Sequence, residues 1–198
     1  TRDQALAVSG LLEERVGGPS VNPYQPDNFW EDLSNMKYSQ SKGKDLYRRS
    51  LYTIWKRTIP PPSMAVLDAA DRESCIVSPK RTNTPLQALT MLNEKAFVEA
   101  ARNFGQRILQ EGGSSVSDQV KFAFRTVAGR YPKPEEQVLL QNAYRDYKAM
   151  YAEDSESARK LIAVGESKSA ENLRPTELAA ATTLANMLLN LDEVITKE

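Results

Sequence analysis

Apolar residues recur three and four positions apart along most of the 198-residue chain, and that spacing predicts helices. Leu6, Ala7, Leu11 and Leu12 form a first stripe, predicted to run to the Gly17-Gly18-Pro19 break. A longer stripe begins with Leu86, Leu89 and Leu92, continues through Ala96, Ala100, Phe104 and Ile108, and ends at Gly112-Gly113. Its two halves are out of phase at Asn93, which predicts a break or kink there. Three further helices are predicted from Ser117 to Ala128, from Pro134 to about Ala152, and from Arg174 to about Leu191. Their stripes are Val120/Phe124/Val127, Leu140/Tyr144/Tyr147/Tyr151 and Leu178/Ala181/Ala185/Leu188. A shorter helix, Ser157 to Val164 closed by Gly165, sits between the last two. No internal repeat appears. The pattern predicts an all-α fold, an irregular multi-helix bundle with a long N-terminal loop excursion, as a single helical domain over residues 1–198.

The strongest helix start is TNTPLQALTMLN. Thr84 at the N-cap, Pro85 at the first helical position and Gln87 two residues later make a capping box, in which side chains satisfy backbone N–H groups that lack a helical partner. From Pro19 to Gly43 periodicity is lost, and Pro, Asn, Ser, Gln and Tyr accumulate into the long excursion. In Tyr47 to Thr58 the residues Tyr47, Leu51, Ile54 and Trp55 share one helical face, which predicts a helix with that face buried. The alternation Leu46/Arg48/Ser50/Tyr52/Ile54 keeps a strand as the alternative. Pro60-Pro61-Pro62 is read as the stop.

Composition then removes whole classes of chemistry. Lys plus Arg and Asp plus Glu are both 26, so the chain lacks the overall footprint of a nucleic-acid binder. The balance is local: Lys37, Lys42, Lys44, Arg48, Arg49, Lys56 and Arg57 face only Asp45 over the same stretch, which is a basic island. Histidine is absent, which excludes His-based triads and His–zinc sites. The single Cys75 forms no internal disulfide, and no haem-attachment motif occurs. The longest apolar run, Leu178 to Leu191, is interrupted by Thr182, Thr183, Asn186 and Asn190 and falls short of the ~20 residues a membrane span needs, so no membrane insertion is expected.

Candidate chemistry concentrates in three places. Arg49 and Arg57 are eight apart and would share a helical face, with neighbouring Arg48 pointing about 100° away. Such guanidinium forks can hold a sulfate, phosphate or sugar carboxylate bidentately, with Arg81 as a further donor. The competing reading makes them surface residues paired with carboxylates. In LDAADRESC, Asp68, Asp71 and Glu73 suit either proton transfer on a glycoside or an N-cap, Asp68, with acidic residues in the first helical turn. Tyr24, Phe29 and Trp30, in the long loop, are candidates for stacking on a pyranose ring. Cys75, beside Ile76 and Val77, reads as a small buried hydrophobe.

The blocks RDQALAVSGLL, GGPSVNPYQP, YRRSLYTIWKRT, LDAADRESC, RTNTPLQALTMLN and LLNLDEVITK, in that order, resemble a planctomycete-type domain of unknown function. The resemblance implies a C-terminal position in exported proteins that begin with a cytochrome-c-like module, and hence a periplasmic or extracellular location. It implies that the chain is a fragment lacking the N-terminal part of that domain, with no cofactor of its own and haem only in the upstream module. That family has no agreed catalytic residues to carry over. Two functions are therefore expected to compete. One is a non-catalytic helical module that packs against the other domains of its polypeptide. The other is an enzyme, or part of one, that acts on or binds an anionic polysaccharide.

Overall fold

A computed structural model describes residues 1–33, 36–70, 75, 77 and 82–196. Among these described residues ten α-helices occur: α1 (Arg2–Ser9), α2 (Phe29–Leu33), α3 (Pro62–Val66), α4 (Pro85–Asn93), α5 (Lys95–Glu111), α6 (Val116–Ala128), α7 (Pro134–Glu153), α8 (Ser155–Ile162), α9 (Pro175–Leu189) and α10 (Asp192–Ile195). No strand longer than an isolated bridge occurs among the described residues. The fold is all-α, as the periodicity predicts. The chain forms two compact units, Thr1–Leu11 with Met91–Glu198, and Leu12–Thr90.

In the larger unit α5 and α9 pack most extensively on each other, with α1 on α5 and with α7 and α8 on α9. The sequence of α9 explains the closeness: Ala179, Ala180, Ala181 and Ala185 are fully buried, so the helix offers small residues to its neighbours. Gly105 of α5 sits where a Cβ would lie 2.8 Å from the backbone nitrogen of Thr182, so only glycine fits that contact. The predicted stripes Val120/Phe124/Val127 and Leu178/Ala181/Ala185/Leu188 are buried throughout. In the α7 stripe Leu140, Tyr144 and Tyr151 are buried and Tyr147 is half-buried. The N-cap of α6 is Ser115, whose hydroxyl accepts the Asp118 N–H at 3.0 Å, two residues before the predicted start.

Three expectations are corrected here. The first helix ends at Ser9, not at Gly17-Gly18. Gly10 takes a left-handed φ of 77°, and the N–H groups of Gly10 and Leu11 return to the carbonyls of Ala7 and Leu6 at 3.1 and 2.9 Å. That is a Schellman stop, and it comes before the next two leucines can join the stripe. In α4 the leucine stripe faces outward, with Leu86 58% and Leu89 57% exposed, while Gln87 and Met91 are buried. The break at Asn93 is present: α4 ends there, and Glu94 caps α5 by accepting the Ala96 N–H at 3.1 Å. The third correction is the segment from Tyr47 to Arg57, which is not a helix. It comprises the end of one 3-10 turn, Gly43–Tyr47, a second, Ser50–Tyr52, and extended backbone at Arg48 and Thr53. Leu51 is exposed and Arg48 is buried, the reverse of the predicted face. Pro62, rather than ending a helix, is the first residue of α3.

Candidate functional site

The smaller unit is organised around a cation. Arg48 lies on extended backbone, paired in parallel with Glu13, and none of its surface is exposed. Its two terminal nitrogens donate to the carbonyls of Pro19 at 2.9 Å, Arg15 at 3.1 Å and Gly17 at 2.5 Å. Its guanidinium lies 3.8 Å from the ring centre of Tyr52. A loop rich in glycine and proline has few side chains with which to fold, so its backbone oxygens are gathered by one rigid fork of donors. Arg48 is a scaffold residue. Arg49 and Arg57 are exposed, so the predicted alignment of Arg49 and Arg57 on one helical face does not form. Arg81, Asp71 and Glu73 lie outside the described residues. Lys44 of the island pairs with Glu13 at 3.3 Å, and the island's own acid, Asp45, is met by Arg15 from outside it at 2.5 Å.

The aromatic loop is also turned inward. Trp30 and Tyr24 are 5% and 6% exposed, and Phe29 is half-buried, so no stacking platform forms. Trp30 packs on Tyr38 with ring centres 5.1 Å apart, and the Tyr38 hydroxyl donates to the Pro23 carbonyl at 2.5 Å. With no long helix among its described elements, this unit takes its core from the excursion in which the sequence loses its periodicity.

Asp68 begins no helix. It follows α3 with a left-handed φ of 60° and accepts from the Thr82 N–H at 2.8 Å, the Thr82 hydroxyl at 2.6 Å and Gln87 Nε2 at 3.0 Å. Gln87 also donates to the Val66 carbonyl at 2.9 Å, while its oxygen accepts the Thr84 N–H at 2.9 Å. The Gln87 N–H completes the box on Thr84 Oγ1 at 3.3 Å. The amide of Gln87 therefore turns α4 inward at this position, which explains why its leucines point out. Cys75 is exposed, not buried as expected.

Sequence reasoning missed a buried polar pair on α5. Glu99 is fully buried and Arg102 nearly so, with 3.6 Å between Glu99 Oε1 and an Arg102 nitrogen. Glu99 accepts from Ser167 N at 2.6 Å and Ser167 Oγ at 2.7 Å, and Arg102 donates to the Ile162 carbonyl at 2.9 Å and the Ser167 carbonyl at 2.5 Å. These bonds fasten the connection after α8 to α5 and leave no open surface for a reactant. The available signal was Glu99 within an otherwise apolar run, Phe97 to Ala101, with Arg102 three positions after it.

Titration behaviour follows burial and pairing. Burial pushes the Glu94 carboxyl above its ordinary range, opposed by Arg2 and by the N–H groups of Phe97 and Ala96. Arg130 grips Glu136 with two bonds of 2.8 Å and Glu193 with bonds of 3.0 and 2.9 Å. The Arg130 bonds, helped by the Lys133 N–H, hold the Glu136 carboxyl down at about 2.

The outer side of α7 is open to a partner. Val138 and Leu139 are 58% and 65% exposed, and with Pro134 and Ala143 they form a shallow apolar groove whose ends carry Glu135 and Asp146. The spacing of four between Pro134 and Val138, and between Leu139 and Ala143, places these residues along one side of the helix, away from the buried Leu140 and Tyr144.

Residues 1–144 match the model of PSD1, a protein of unknown function (DUF1553). The chain belongs to that family. No curated protein and no solved structure matches it. The PSD1 match takes in the Arg48 clamp, the Asp68 closure and the outer groove of α7 as far as Ala143; α8, α9 and α10 lie beyond it. Since the PSD1 description assigns no activity, roles for these residues rest on their geometry alone.

Proposed function

We propose that this PSD1 chain is a non-catalytic helical module of an exported, cytochrome-associated multidomain polypeptide, and that it packs against and organises the other domains of that polypeptide. The observation that carries this reading is the apolar groove on α7. Two large aliphatic side chains more than half exposed on one helix side, rimmed by carboxylates, suit a partner surface with an apolar centre and basic edges. The chemistry-bearing residues support the same reading. Arg48, Asp68, Glu99 and Arg102 bond to the protein's own loops. The haem expected for such a polypeptide would belong to the upstream module, and the location would be periplasmic or extracellular. The polysaccharide alternative retains the exposed Arg49 and Arg57, but its other candidates, Arg48 and the aromatic trio, are built into the smaller unit.

The test is association with the upstream cytochrome-c-like module produced separately. The two parts should bind, and Val138→Asp with Leu139→Asp should weaken binding at least roughly tenfold. The double variant should change stability by no more than about 0.5 kcal/mol, as exposed substitutions do. No association at about 100 μM would overturn the proposal, as would salt-dependent binding of a sulfated oligosaccharide abolished by Arg49→Ala/Arg57→Ala.

A further inference from the structure

A cleft of about 420 Å³ lies between α7 and α9 in the larger unit, on the inner side of α7 rather than along its outer groove. That volume is within the range of small-molecule sites. Tyr147 and Tyr151, one turn apart on α7, face Thr183 and Asn186 of α9 and Asn190 at its C-terminal end, spaced three and four apart. The apolar wall is supplied by Leu161, Met187 and Leu191. The interruptions in the apolar run of the last helix thus become one wall of the cleft. None of the described residues lining it is charged.

The direction of the hydrogen bonds defines the ligand. The Thr183 hydroxyl donates to the Ala179 carbonyl at 3.0 Å, so in its 3.0 Å contact with the Tyr151 hydroxyl the proton comes from Tyr151. The Tyr151 oxygen is then left as an acceptor. Asn186 uses its amide nitrogen on the Leu92 carbonyl at 3.0 Å, which leaves its amide oxygen as a second acceptor. The Tyr147 hydroxyl rests 3.6 Å from the sulfur of Met187, a weak partner that a better one displaces. The cleft therefore presents acceptors beside apolar and aromatic surface. An ion entering it would lose hydration and meet no opposite charge.

We infer that this cleft binds a small uncharged ligand rich in hydroxyl donors with one apolar face, of the neutral monosaccharide class. Ring hydroxyls donate to Asn186 and Tyr151, a sugar oxygen accepts from the Tyr147 hydroxyl in place of the Met187 sulfur, and the C–H face of the sugar lies against the Tyr147 ring and Met187. The inference is independent of the docking role of α7.

Titration of the isotope-labelled chain with methyl β-D-glucopyranoside, methyl β-D-galactopyranoside and N-acetyl-D-glucosamine, followed by nuclear magnetic resonance, tests it. At least one neutral sugar should move the Asn186 side-chain amide signals and saturate at roughly millimolar concentration. The midpoint should not change between about 50 and 500 mM salt. Tyr147→Phe should weaken binding at least roughly threefold, and Leu161→Trp, which fills the cleft, should abolish it. The inference is overturned if no neutral sugar moves those signals at about 100 mM, or if glucuronate or glucose 6-sulfate binds more tightly and with salt dependence. It is also overturned if a folded Leu161→Trp variant binds as wild type does. If that variant fails to fold, Tyr147→Phe decides alone: unchanged affinity in it sinks the site.

Discussion

Arg48 reaches three backbone carbonyls from a position with no exposed surface. An ammonium on a flexible stem does not reproduce that planar fork or its stacking on Tyr52. Arg48→Ala should therefore cost about 3 kcal/mol, since buried carbonyls lose charged donors, and Arg48→Lys should recover little of it. A urea midpoint unchanged by either substitution would contradict the clamp. Glu94 makes a prediction of opposite character. Burial raises its folded-state pKa above the unfolded value, so the folded protein holds this proton more tightly than the unfolded chain does. The stability contributed by Glu94 is fully present below the unfolded pKa and is lost as pH rises through the raised one. Glu94→Gln keeps an oxygen for the Ala96 N–H and removes the buried charge, so it should stabilise the protein at neutral pH. That gain should vanish at about pH 4, where the wild-type carboxyl is protonated as well. Denaturation at both pH values checks it, and a gain that persists in acid would mean that the charge is not the cause. At this scale the sequence is informative about residue type but silent about direction. The excess of cations around Arg48 is visible in it, yet whether an arginine faces solvent or a ring of carbonyls depends on a loop more than thirty positions earlier.

Elements were legible where a local signal and a packed partner agree. The Thr84 box, the break at Asn93, the Gly112 stop and the starts at Pro134 and Pro175 all occur as read, because caps and proline act within one turn. Thr84→Ala should cost ~1 kcal/mol, the usual loss on removing an N-cap, and an unchanged midpoint with an unchanged m-value would rule the cap out. The misreadings share one physical origin. Around Tyr47–Arg57 the apolar spacing is helical, but 3-10 turns and parallel bridges to Glu13 and Val21 satisfy the backbone instead. In α4 the leucines should face the core by periodicity alone, yet the contacts of the Gln87 side-chain amide nitrogen with the oxygens of Val66, Asp68 and Thr82 set the helix rotation. A non-local bond outweighs a propensity of a few tenths of a kcal/mol per residue, and no window of sequence contains both partners.

For the whole molecule, periodicity gives the all-α class, and five of the six sequence blocks fall within residues 1–144, which the family model matches, while LLNLDEVITK lies beyond them. The division into two compact units was not legible, because the smaller one is built from irregular chain, carbonyl clamps and inward-facing aromatics rather than periodic stripes. Nor was the α7 groove: Val138 and Leu139 look like ordinary helix positions until the fold shows that they are left outside. Hydroxyl-radical footprinting of the full polypeptide against this chain alone tests the organising role most directly. Val138 and Leu139 should be oxidised in the isolated chain and protected several-fold in the full polypeptide, while Leu86 and Leu89 of α4 serve as equally exposed references. Equal oxidation of Val138 and Leu139 in both would contradict the account, because no partner domain would then be covering that face.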